Sequence, residues 1–333
     1  MSRVRIIAEA GVNHNGSVER ALAMVDAAAR AGADVVKFQS FNPEALVVAS
    51  AAKADYQVRE TGDGSQLEML RTLRLDQLAH RRLIERCEAV GIEFLSSPFD
   101  VESVQMLASL GVNEFKIASG EVTDLPVLLA VARHAESVLL STGMASMEEV
   151  EGALAALQKA GLARANVTLL HCTSEYPAPY SEVNLRAMVE MRRAFDLPVG
   201  YSDHTSGIEV SLAAVTLGAV VIEKHFTLDR GLPGPDHAAS LEPEELANLV
   251  CAVRHVSEAL GAARKKATPS ERRNVAHARK SIVAARDIAA GELLTDENLT
   301  AKRPGGGLSP MLWDSIVGRR AQRSFTRDEM IAL

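Results

Sequence analysis

The feature that most constrains the fold of this chain is a repeated alternation of short apolar runs with longer, Ala- and Leu-rich amphipathic segments. The runs are almost continuous in Val, Ile, Leu and Phe, which is typical of parallel strands buried on both faces. Eight such units in about 260 residues is the size expected of a TIM (β/α)8 barrel. The predicted strands are residues 4–8, 34–38, 93–96, 114–118, 137–141, 167–171, 198–202 and 219–225.

The amphipathic segments between these runs predict the helices of the barrel. Examples are residues 18–31, 75–90, 147–160, 185–195 and 243–260. Glycine closes several of them, as in "ARAGADVV" and "VTLGAVVI", and favours the left-handed conformation that ends a helix. A doubly wound open sheet is the alternative fold, and it is disfavoured because no GxGxxG motif follows the first strand.

The chain changes character after the eighth unit. The stretch "GAARKKATPSERRNVAHA" is basic, polar and interrupted by Pro269, which indicates a linker that contains a helical turn. The remaining residues contain short strand-like pieces and the turn formers "AAGE" and "RPGGG", which predict a small β-rich domain. We therefore predict a catalytic barrel at 1–262, a linker at 263–278 and a small domain at 279–333.

Composition excludes several classes of protein. Hydrophobic residues make up 47% and charged residues 24% of the 333 positions, which is the balance of a soluble globular protein. The net charge of −7 argues against a nucleic-acid partner. The sequence offers neither a signal peptide nor an apolar stretch long enough to span a membrane. Cys87, Cys172 and Cys251 follow no CxxC pattern, and we expect reduced thiols in a cytoplasmic protein.

Polar side chains follow all eight predicted strands, and catalytic residues of a barrel project from those strand ends. Helix caps would explain one or two such residues but not a polar cluster after every strand. The cluster comprises Glu9, Lys37, Gln39, Ser96, Ser97, Lys116, Ser119, Ser141, Thr142, His171, Ser202, Asp203, His204, Glu223, Lys224 and His225.

Two histidines in this cluster predict a metal site. His204 ends strand seven and His225 ends strand eight, and these strands are neighbours in a barrel. A pair of imidazoles with open water positions suits Mn²⁺, Zn²⁺, Fe²⁺ or Co²⁺. His171 is the alternative partner, and Cys172 is a further candidate ligand, although a buried structural thiol is its ordinary role.

Lys37 and Lys116 end strands two and four and are expected to point into the same mouth. Lysines in that position are either Schiff-base nucleophiles or fixed charges for an anion. The hydroxyls of nearby serines favour an anion site for a phosphorylated or carboxylated small molecule. These serines are Ser97, Ser119, Ser141 and Ser202.

Two carboxylates are further candidates. Glu9, in "AEAGVNHNG", is placed to act as a general acid or base, because the later Asn13, Asn15 or Ser17 would serve better as a helix cap. Asp236 lies in the Pro- and Gly-rich loop after strand eight, where it is either a turn residue or a substrate ligand.

Long motifs in this order resemble the sialic acid synthase family, which includes N-acetylneuraminate, legionaminate and pseudaminate synthases. The motifs are "IIAEAGVNHNGS", "AGADVVKFQSF", "FLSSPFD", "FKIASGE", "LLSTGMAS", "LLHCTSEYPAP", "VGYSDHTSG" and "VIEKHFTLDRGLPGPDHAASLEPEE". The tail "AARDIAAGELLTDENLTAKRPGGG" is similar to the antifreeze-protein-like (SAF) domain of these synthases. The resemblance covers essentially the whole chain.

The resemblance implies a transferase that condenses phosphoenolpyruvate with an open-chain N-acylated hexosamine. Carbon 3 of phosphoenolpyruvate attacks the aldehyde, water adds at carbon 2, and phosphate leaves by C–O cleavage. Mn²⁺, with Co²⁺ or Mg²⁺ as alternatives, would be held by His204 and His225 and would polarise the aldehyde. The implied product is a nonulosonic acid, a nine-carbon 2-keto acid.

The resemblance also implies residue roles. Glu9 matches the acid/base candidate, and Arg303 matches an arginine that reaches the N-acyl group from the SAF domain of the other subunit, which implies a domain-swapped homodimer. Positions that match phosphoenolpyruvate contacts are Lys116, Ser97, Ser119, Ser141 and Ser202. Positions that match sugar contacts are Lys37, Gln39, Tyr176 and Asp236, with Ser174 near both substrates.

Two departures from the family pattern bear on the acceptor. Ser174 replaces an asparagine of some N-acetylneuraminate synthases, and no aromatic residue lies near His277, where one family member packs a phenylalanine on the sugar. The first expectation is N-acetylmannosamine, giving N-acetylneuraminate. The alternative is a 2,4-diacetamido-2,4,6-trideoxyhexose, giving N,N'-diacetyllegionaminate or pseudaminate.

Two other classes of function stay open at this point. One is a Schiff-base aldolase that uses Lys37 or Lys116. The other is a carbohydrate- or ice-binding protein that works through the SAF-like tail, for which a polar rim on eight strands would have no evident purpose.

Overall fold

The computed structural model describes residues 3–333, so the first two positions of the predicted barrel domain lie outside the described residues. Its first unit contains the expected TIM-like barrel: one eight-stranded parallel sheet in the order β3-β2-β1-β8-β7-β6-β5-β4, with β3 and β4 side by side at the two ends. The strands are β1 (Arg5–Gly11), β2 (Val35–Ser40), β3 (Glu93–Pro98), β4 (Glu114–Ile117), β5 (Ser137–Ser141), β6 (Val167–Cys172), β7 (Val199–Asp203) and β8 (Val221–His225).

Helices surround this sheet. Their starts carry capping side chains, such as Ser17, whose hydroxyl accepts from the backbone N–H of Arg20. The helices of the first unit are α1 (Val18–Ala31), α2 (Pro43–Leu46), α3 (Asp55–Thr61), α4 (Gln66–Leu73), α5 (Gln77–Val90), α6 (Val101–Ser109), α7 (Leu125–His134), α8 (Met147–Lys159), α9 (Arg186–Phe195), α10 (Glu209–Thr216) and α11 (Pro243–Leu260).

Residues 43–73, between β2 and α5, form the short helices α2, α3 and α4, which the strand–helix alternation does not predict. Local capping accounts for them. Ser65 and Glu68 form a reciprocal capping box at the start of α4, and the side chain of Asn42 caps α2. We call residues 43–73 the β2–α5 insertion. It lies at the carboxyl end of β2, the end of the barrel that carries the candidate site.

The inside of the barrel is built in layers, because alternate residues of each strand point inward. The lowest described apolar layer is a fully buried floor of Ile7, Val35, Leu95, Leu139, Leu170 and Val221. Gly200 belongs to this level, since a Cβ there would lie 2.6 Å from Leu170 Cδ2. Two residues further along the same strands the side chains become polar, and they begin with Glu9, Lys37, Ser97, Ser141 and Glu223.

A second compact unit runs from Ala262 to Leu333. It contains α12 (Pro269–Ala278), the antiparallel strands β9 (Ser281–Ala284) and β10 (Leu299–Lys302), and α13 (Trp313–Ile316). Ile282, Leu294 and Phe325 are among the residues of its own small apolar core. Helix α12 occupies most of the stretch expected to be a linker, because Thr268 and Glu271 form a capping box at its start. This unit is small and β-rich, as the sequence predicts.

None of the helices formed by residues 3–333 combines the length and the hydropathy needed to cross a bilayer.

Candidate active site

A cavity of about 550 Å³ opens at the carboxyl ends of the barrel strands. Five members of the predicted strand-end cluster do not line it: Ser96, Thr142, His171, Asp203 and Lys224. It is lined by all the barrel residues to which the sequence analysis assigns a catalytic, metal-binding or substrate-binding role. These residues are Glu9, Lys37, Gln39, Ser97, Lys116, Ser119, Ser141, Ser174, Tyr176, Ser202, His204, His225 and Asp236. Arg303 is an exposed residue of the second unit, where its Nε donates to the carbonyl of Ala278 at 2.9 Å.

A buried ion-pair network lies at the bottom of the cavity. Lys37 Nζ is 2.8 Å from Glu9 Oε2 and 3.7 Å from Glu223 Oε2. The other oxygen of Glu223 lies 3.6 Å from Lys116 Nζ and accepts from the Ser202 hydroxyl at 2.8 Å. Each carboxylate oxygen of Glu223 therefore faces one of the two lysines, and Glu223 fixes the positions of both ammonium groups.

The charges of this network are set by burial and by each other. Burial alone would raise the pKa of Glu223, but Lys116 and Lys37 outweigh it and lower that pKa to about 2. Burial would also lower the pKa of Lys37, yet Glu223 and Glu9 raise it above its ordinary value. Glu223 is consequently a permanent carboxylate, and Lys37 is a permanent cation.

Glu9 and Lys116 behave differently. Burial raises the pKa of Glu9 to about 7, although Lys37 opposes the shift, so this carboxyl exchanges its proton near neutral pH. Burial lowers the pKa of Lys116 more than Glu223 raises it. An anionic ligand beside Lys116 would favour the charged ammonium and would push the pKa of Glu9 further up.

His204 and His225 form the imidazole pair that the sequence predicts, with ring centroids 5.6 Å apart. His204 Nδ1 is 2.6 Å from the carbonyl oxygen of Thr173 and donates to it. The other ring nitrogen, Nε2, therefore carries the lone pair that a metal ion would use. His225 Nδ1 is buried without a hydrogen-bond partner among residues 3–333 and lies 3.9 Å from Asp236 Oδ2. The ring of Tyr176 packs against that of His204 in a tilted arrangement, with 4.3 Å between ring centroids.

These residues fit a divalent ion. Burial lowers the pKa of His204 to about 4 and that of His225 well below its ordinary value, so both rings are neutral, as metal ligands must be. Within residues 3–333 no set of three or more His, Cys, Asp or Glu side chains is arranged to enclose an ion. The two imidazoles would therefore leave several coordination positions to water and substrate oxygens.

Hydroxyls on the β4–β6 side form a second part of the cavity. The Ser119 hydroxyl accepts from the backbone N–H of Gly143 at 3.0 Å and lies 3.1 Å from Cys172 Sγ. The buried Ser141 hydroxyl has no partner among the described residues. Hydroxyls that are held this way beside Lys116 suit the oxygens of a phosphate or carboxylate.

The structure corrects one alternative. His171 does not line the cavity: its Nε2 lies 2.7 Å from the carbonyl oxygen of Val183, and its ring packs near Tyr201. It is therefore not the partner of His204.

Sequence reasoning assigned no role to many of the lining residues, and three of these carry ionisable side chains. Glu223 precedes His225 by two positions on β8, so the period of two of a strand would have placed both on the inner face. Glu121 lines the cavity from the turn after β4. Tyr56 comes from the β2–α5 insertion and approaches Tyr176 at 5.2 Å between ring centroids, and no pattern in the sequence indicates that contact.

Comparison with known proteins decides the family. Residues 24–265 match the NeuB family, and residues 279–333 match the SAF domain. The chain belongs to the NeuB family. This NeuB-family chain is an enzyme of the transferase class, a nonulosonic acid synthase, and the binding-protein reading of its tail is set aside.

Relatives span the whole NeuB-family chain. An N,N'-diacetyllegionaminic acid synthase of Campylobacter jejuni is 52% identical over 99% of both chains. A Legionella pneumophila protein of the same name is 46% identical over 95% of this chain and 89% of its own. The crystal structure of an N-acetylneuraminic acid (sialic acid) synthetase from Leptospira borgpetersenii, in complex with citrate, superposes with a TM-score of 0.72 at 36% identity, covering 82% of this chain and 90% of that chain.

Proposed function

We propose that this enzyme condenses phosphoenolpyruvate with 2,4-diacetamido-2,4,6-trideoxymannose to form N,N'-diacetyllegionaminate and inorganic phosphate. One observation carries the reaction type: Glu223 on β8 bridges the two buried lysines of β2 and β4. His225 lies two residues after Glu223 on the same inner face of β8. An anion site thus lies directly beside a site for an aldehyde oxygen.

The anion site accounts for phosphoenolpyruvate. Lys116, Ser119 and Ser141 offer one ammonium and two hydroxyls on the β4–β5 side of the cavity, and Ser97 and Ser202 add hydroxyls on either side. Glu223 keeps Lys37 and Lys116 apart and oriented, so the enzyme meets the anion with groups already in place. Such preorganisation lowers the cost of binding and of the following step.

Glu9 supplies the proton for bond formation. When carbon 3 of phosphoenolpyruvate attacks the aldehyde, the aldehyde oxygen becomes an alkoxide that needs a proton. Burial raises the pKa of Glu9 to about 7, and the bound anion raises it further, so Glu9 is protonated at that moment. Lys37, 2.8 Å from Glu9, then stabilises the carboxylate that remains.

Hydrolysis completes the reaction. The attack leaves an oxocarbenium-like centre at carbon 2, to which water adds, and the C–O bond to phosphate then breaks. Of the two protons of that water, one returns to Glu9 and one leaves with phosphate. The oxygen of the water becomes the keto oxygen of the product, and the charges balance.

His204 and His225 would hold a divalent ion, and we propose Mn²⁺, with Co²⁺ or Mg²⁺ as substitutes. When bound, such an ion supplies Lewis-acid polarisation of the aldehyde. The Thr173 carbonyl fixes the ring orientation of His204, and Asp236 lies beside His225. Asp236, whose pKa burial raises to about 6, together with Gln39, Tyr176 and Ser174, would contact the sugar.

The choice of acceptor rests on relatives. Two proteins at 52% and 46% identity are both named N,N'-diacetyllegionaminic acid synthase, which favours the trideoxy, diacetamido sugar. N-acetylmannosamine, the first expectation from the sequence, becomes the second candidate, since the solved structure named as a sialic acid synthetase is 36% identical.

The test measures phosphate release from phosphoenolpyruvate with each of the two sugars, with Mn²⁺ present or chelated. We expect Mn²⁺-dependent release with the trideoxy sugar, a product mass that matches the nine-carbon acid, and loss of release in His225→Ala. His255→Ala removes an exposed histidine outside the cavity and is the matched control. Release with N-acetylmannosamine alone would select the second candidate, and release with neither would reject the function.

We further propose a homodimer in which Arg303 of the partner subunit reaches the N-acyl group of the sugar. Arg303 is exposed in the second unit, where its Nε donates to the carbonyl of Ala278. The test mixes two inactive variants, His225→Ala and Arg303→Ala, by co-expression. A mixed dimer would regain one complete site, so activity should return; equal inactivity of the mixture would exclude a composite site.

A further inference from the structure

The cavity has two unlike halves. One half is polar and consists of the lysines, carboxylates, hydroxyls and imidazoles already described. The other half is an apolar wall, which we define as Val12, Phe41, Leu46, Val47, Met69, Leu70, Leu73 and Phe99. These residues form a small core of their own, separate from the main core of the barrel.

The wall is made mostly by the β2–α5 insertion. Phe41 and Phe99 form its base in an edge-on contact at 6.3 Å between ring centroids. Leu46 and Val47, at the end of α2, are only partly buried and so offer surface to the cavity. The insertion also lines the cavity with Ala54 and with three uncharged polar residues outside the wall, Tyr56, Gln57 and Gln66. Among the described residues of 43–73 that line the cavity, none carries a charge.

The position of the wall indicates which part of a substrate it meets. Val12 follows Gly11, and a Cβ on Gly11 would lie 3.3 Å from Glu9 Oε1, 3.4 Å from Gln39 Nε2 and 3.5 Å from His225 Cε1. The wall therefore begins next to the groups proposed for the aldehyde end of the sugar. The hydroxyls for the anion come from the other strands, so the wall is left for the remainder of the acceptor.

We propose that this wall selects acceptors that carry a methyl group instead of a hydroxymethyl group at carbon 6, an inference that rests on the proposed function. A methyl group gains from contact with Leu46, Val47 and their neighbours. A hydroxyl in the same place loses water and finds no side-chain nitrogen or oxygen donor or acceptor on the eight residues of the wall. The wall would thus distinguish 6-deoxy sugars from ordinary N-acylhexosamines at the same catalytic centre.

The experiment isolates carbon 6 by comparing N-acetylmannosamine with its 6-deoxy analogue, which differ only in one hydroxyl. Phosphate release from phosphoenolpyruvate gives kcat/KM for each. We expect the 6-deoxy sugar to be preferred by about ten- to a hundredfold, the range for a hydrophobic pocket that discriminates one such group. The difference should lie mainly in KM, because the wall touches a part of the sugar that does not react.

A pair of neighbouring variants provides the control. Val47→Thr keeps the shape of the side chain and adds a hydroxyl to the wall, so it should lower the preference several-fold. Val48→Thr makes the same change on a side chain that is 71% exposed and does not line the cavity, so it should not alter the preference. Leu46→Gln serves as a second wall variant, and melting temperatures check that all three fold.

Two results would overturn the wall's role: equal kcat/KM for the two sugars in the unmodified enzyme, or a preference that Val47→Thr and Leu46→Gln both leave intact. In either case phosphate release would still proceed, and the synthase function would stand. Absence of release with every acceptor would instead reject the proposed function itself, so the two failures are distinguishable.

Discussion

Asp203 and Lys224 form an ion pair of 3.0 Å between the carboxyl ends of β7 and β8, and both side chains are buried. Each residue directly precedes one of the paired histidines, His204 and His225. Because successive strand residues face opposite sides, the pair lies on the outer face of the sheet while the imidazoles face the cavity. Asp203 also accepts from the hydroxyl of Ser211 on α10, at 2.6 Å.

We predict that Asp203→Asn destabilises the enzyme and weakens its metal site together. Removing one charge of a buried ion pair typically costs about 3–5 kcal/mol of folding stability. The ends of β7 and β8, which carry the imidazoles, would also lose the ion pair that connects them. Urea unfolding and calorimetric titration with Mn²⁺ measure the two effects. Glu151→Gln, which breaks the exposed pair with Arg164, is the control and should cost less than about 1 kcal/mol. Unchanged Mn²⁺ affinity in Asp203→Asn would show that the ion pair does not support the metal site.

Gly143→Ala should damage phosphoenolpyruvate binding. A Cβ at this position would lie 2.4 Å from Ser174 Oγ, 2.8 Å from Ser119 Oγ and 3.0 Å from Cys172 Sγ, so the hydroxyls must move. We expect KM for phosphoenolpyruvate to rise by about ten- to a hundredfold, because small displacements at a binding site are costly.

Gly152 offers the matched control for this change. It lies inside α8, and a Cβ there would have no atom of the described residues within 4 Å. Gly152→Ala should leave KM unchanged and stabilise the fold by up to about 1 kcal/mol. If Gly143→Ala bound phosphoenolpyruvate as tightly as the unmodified enzyme, Ser119 would not be an anion ligand.

Glu121 predicts a dependence of stability on pH. Burial raises its pKa from 4.5 to about 7, and Lys116 reduces the shift only in part. Between these two values the folded state binds a proton that the unfolded state has lost, so this group's contribution to stability falls as pH rises from about 4.5 through 7. The free energy of unfolding of Glu121→Gln minus that of the unmodified enzyme should therefore be larger at pH 8 than at pH 5. The increase should be up to about 3 kcal/mol.

Urea unfolding at the two pH values measures the Glu121 effect. Glu190→Gln, which removes an exposed carboxylate, should give the same small change at both pH values. A difference between Glu121→Gln and the unmodified enzyme that does not vary with pH would show that Glu121 keeps an ordinary acidity.

Borohydride should not trap a covalent adduct of the enzyme with pyruvate. Burial lowers the pKa of Lys116, which would suit a nucleophile, but Glu223 lies only 3.6 Å away and the enol of phosphoenolpyruvate is itself the nucleophile of the proposed reaction. Mass spectrometry of the treated enzyme checks this expectation. A reduced adduct on Lys116 or Lys37 would restore the aldolase mechanism.

The sequence predicts the barrel well because capping residues mark the ends of several of its helices. The predicted helix at residues 18–31 coincides with Val18–Ala31, since Ser17 caps its start and Gly32, at φ 81°, closes its end. The predicted helix at 75–90 begins two residues late, at Gln77, because the side chain of Asp76 is the cap. Apolar strands that alternate with such helices pack as a parallel barrel. The polar carboxyl ends of these strands then lie together at one end of the barrel.

The β2–α5 insertion could not be predicted in the same way. Helices α2, α3 and α4 have four to eight residues each, too few for a clear helical period, so the sequence pattern predicts no element there. The contact of Tyr56 with Tyr176 joins positions 120 residues apart through a loop, which no local pattern encodes. The bridging role of Glu223 depends on three strands at once and needed the closed barrel to become visible.

An aliphatic floor closes the base of the cavity, so that it opens only at the carboxyl ends of the described strands. The floor is formed by Ile7, Val35, Leu95, Leu139, Leu170 and Val221. Under the proposed function, phosphoenolpyruvate beside Lys37 and Lys116 would lie directly above this closed end. We therefore expect phosphoenolpyruvate to bind before the acceptor sugar, and phosphate to leave after the nine-carbon product.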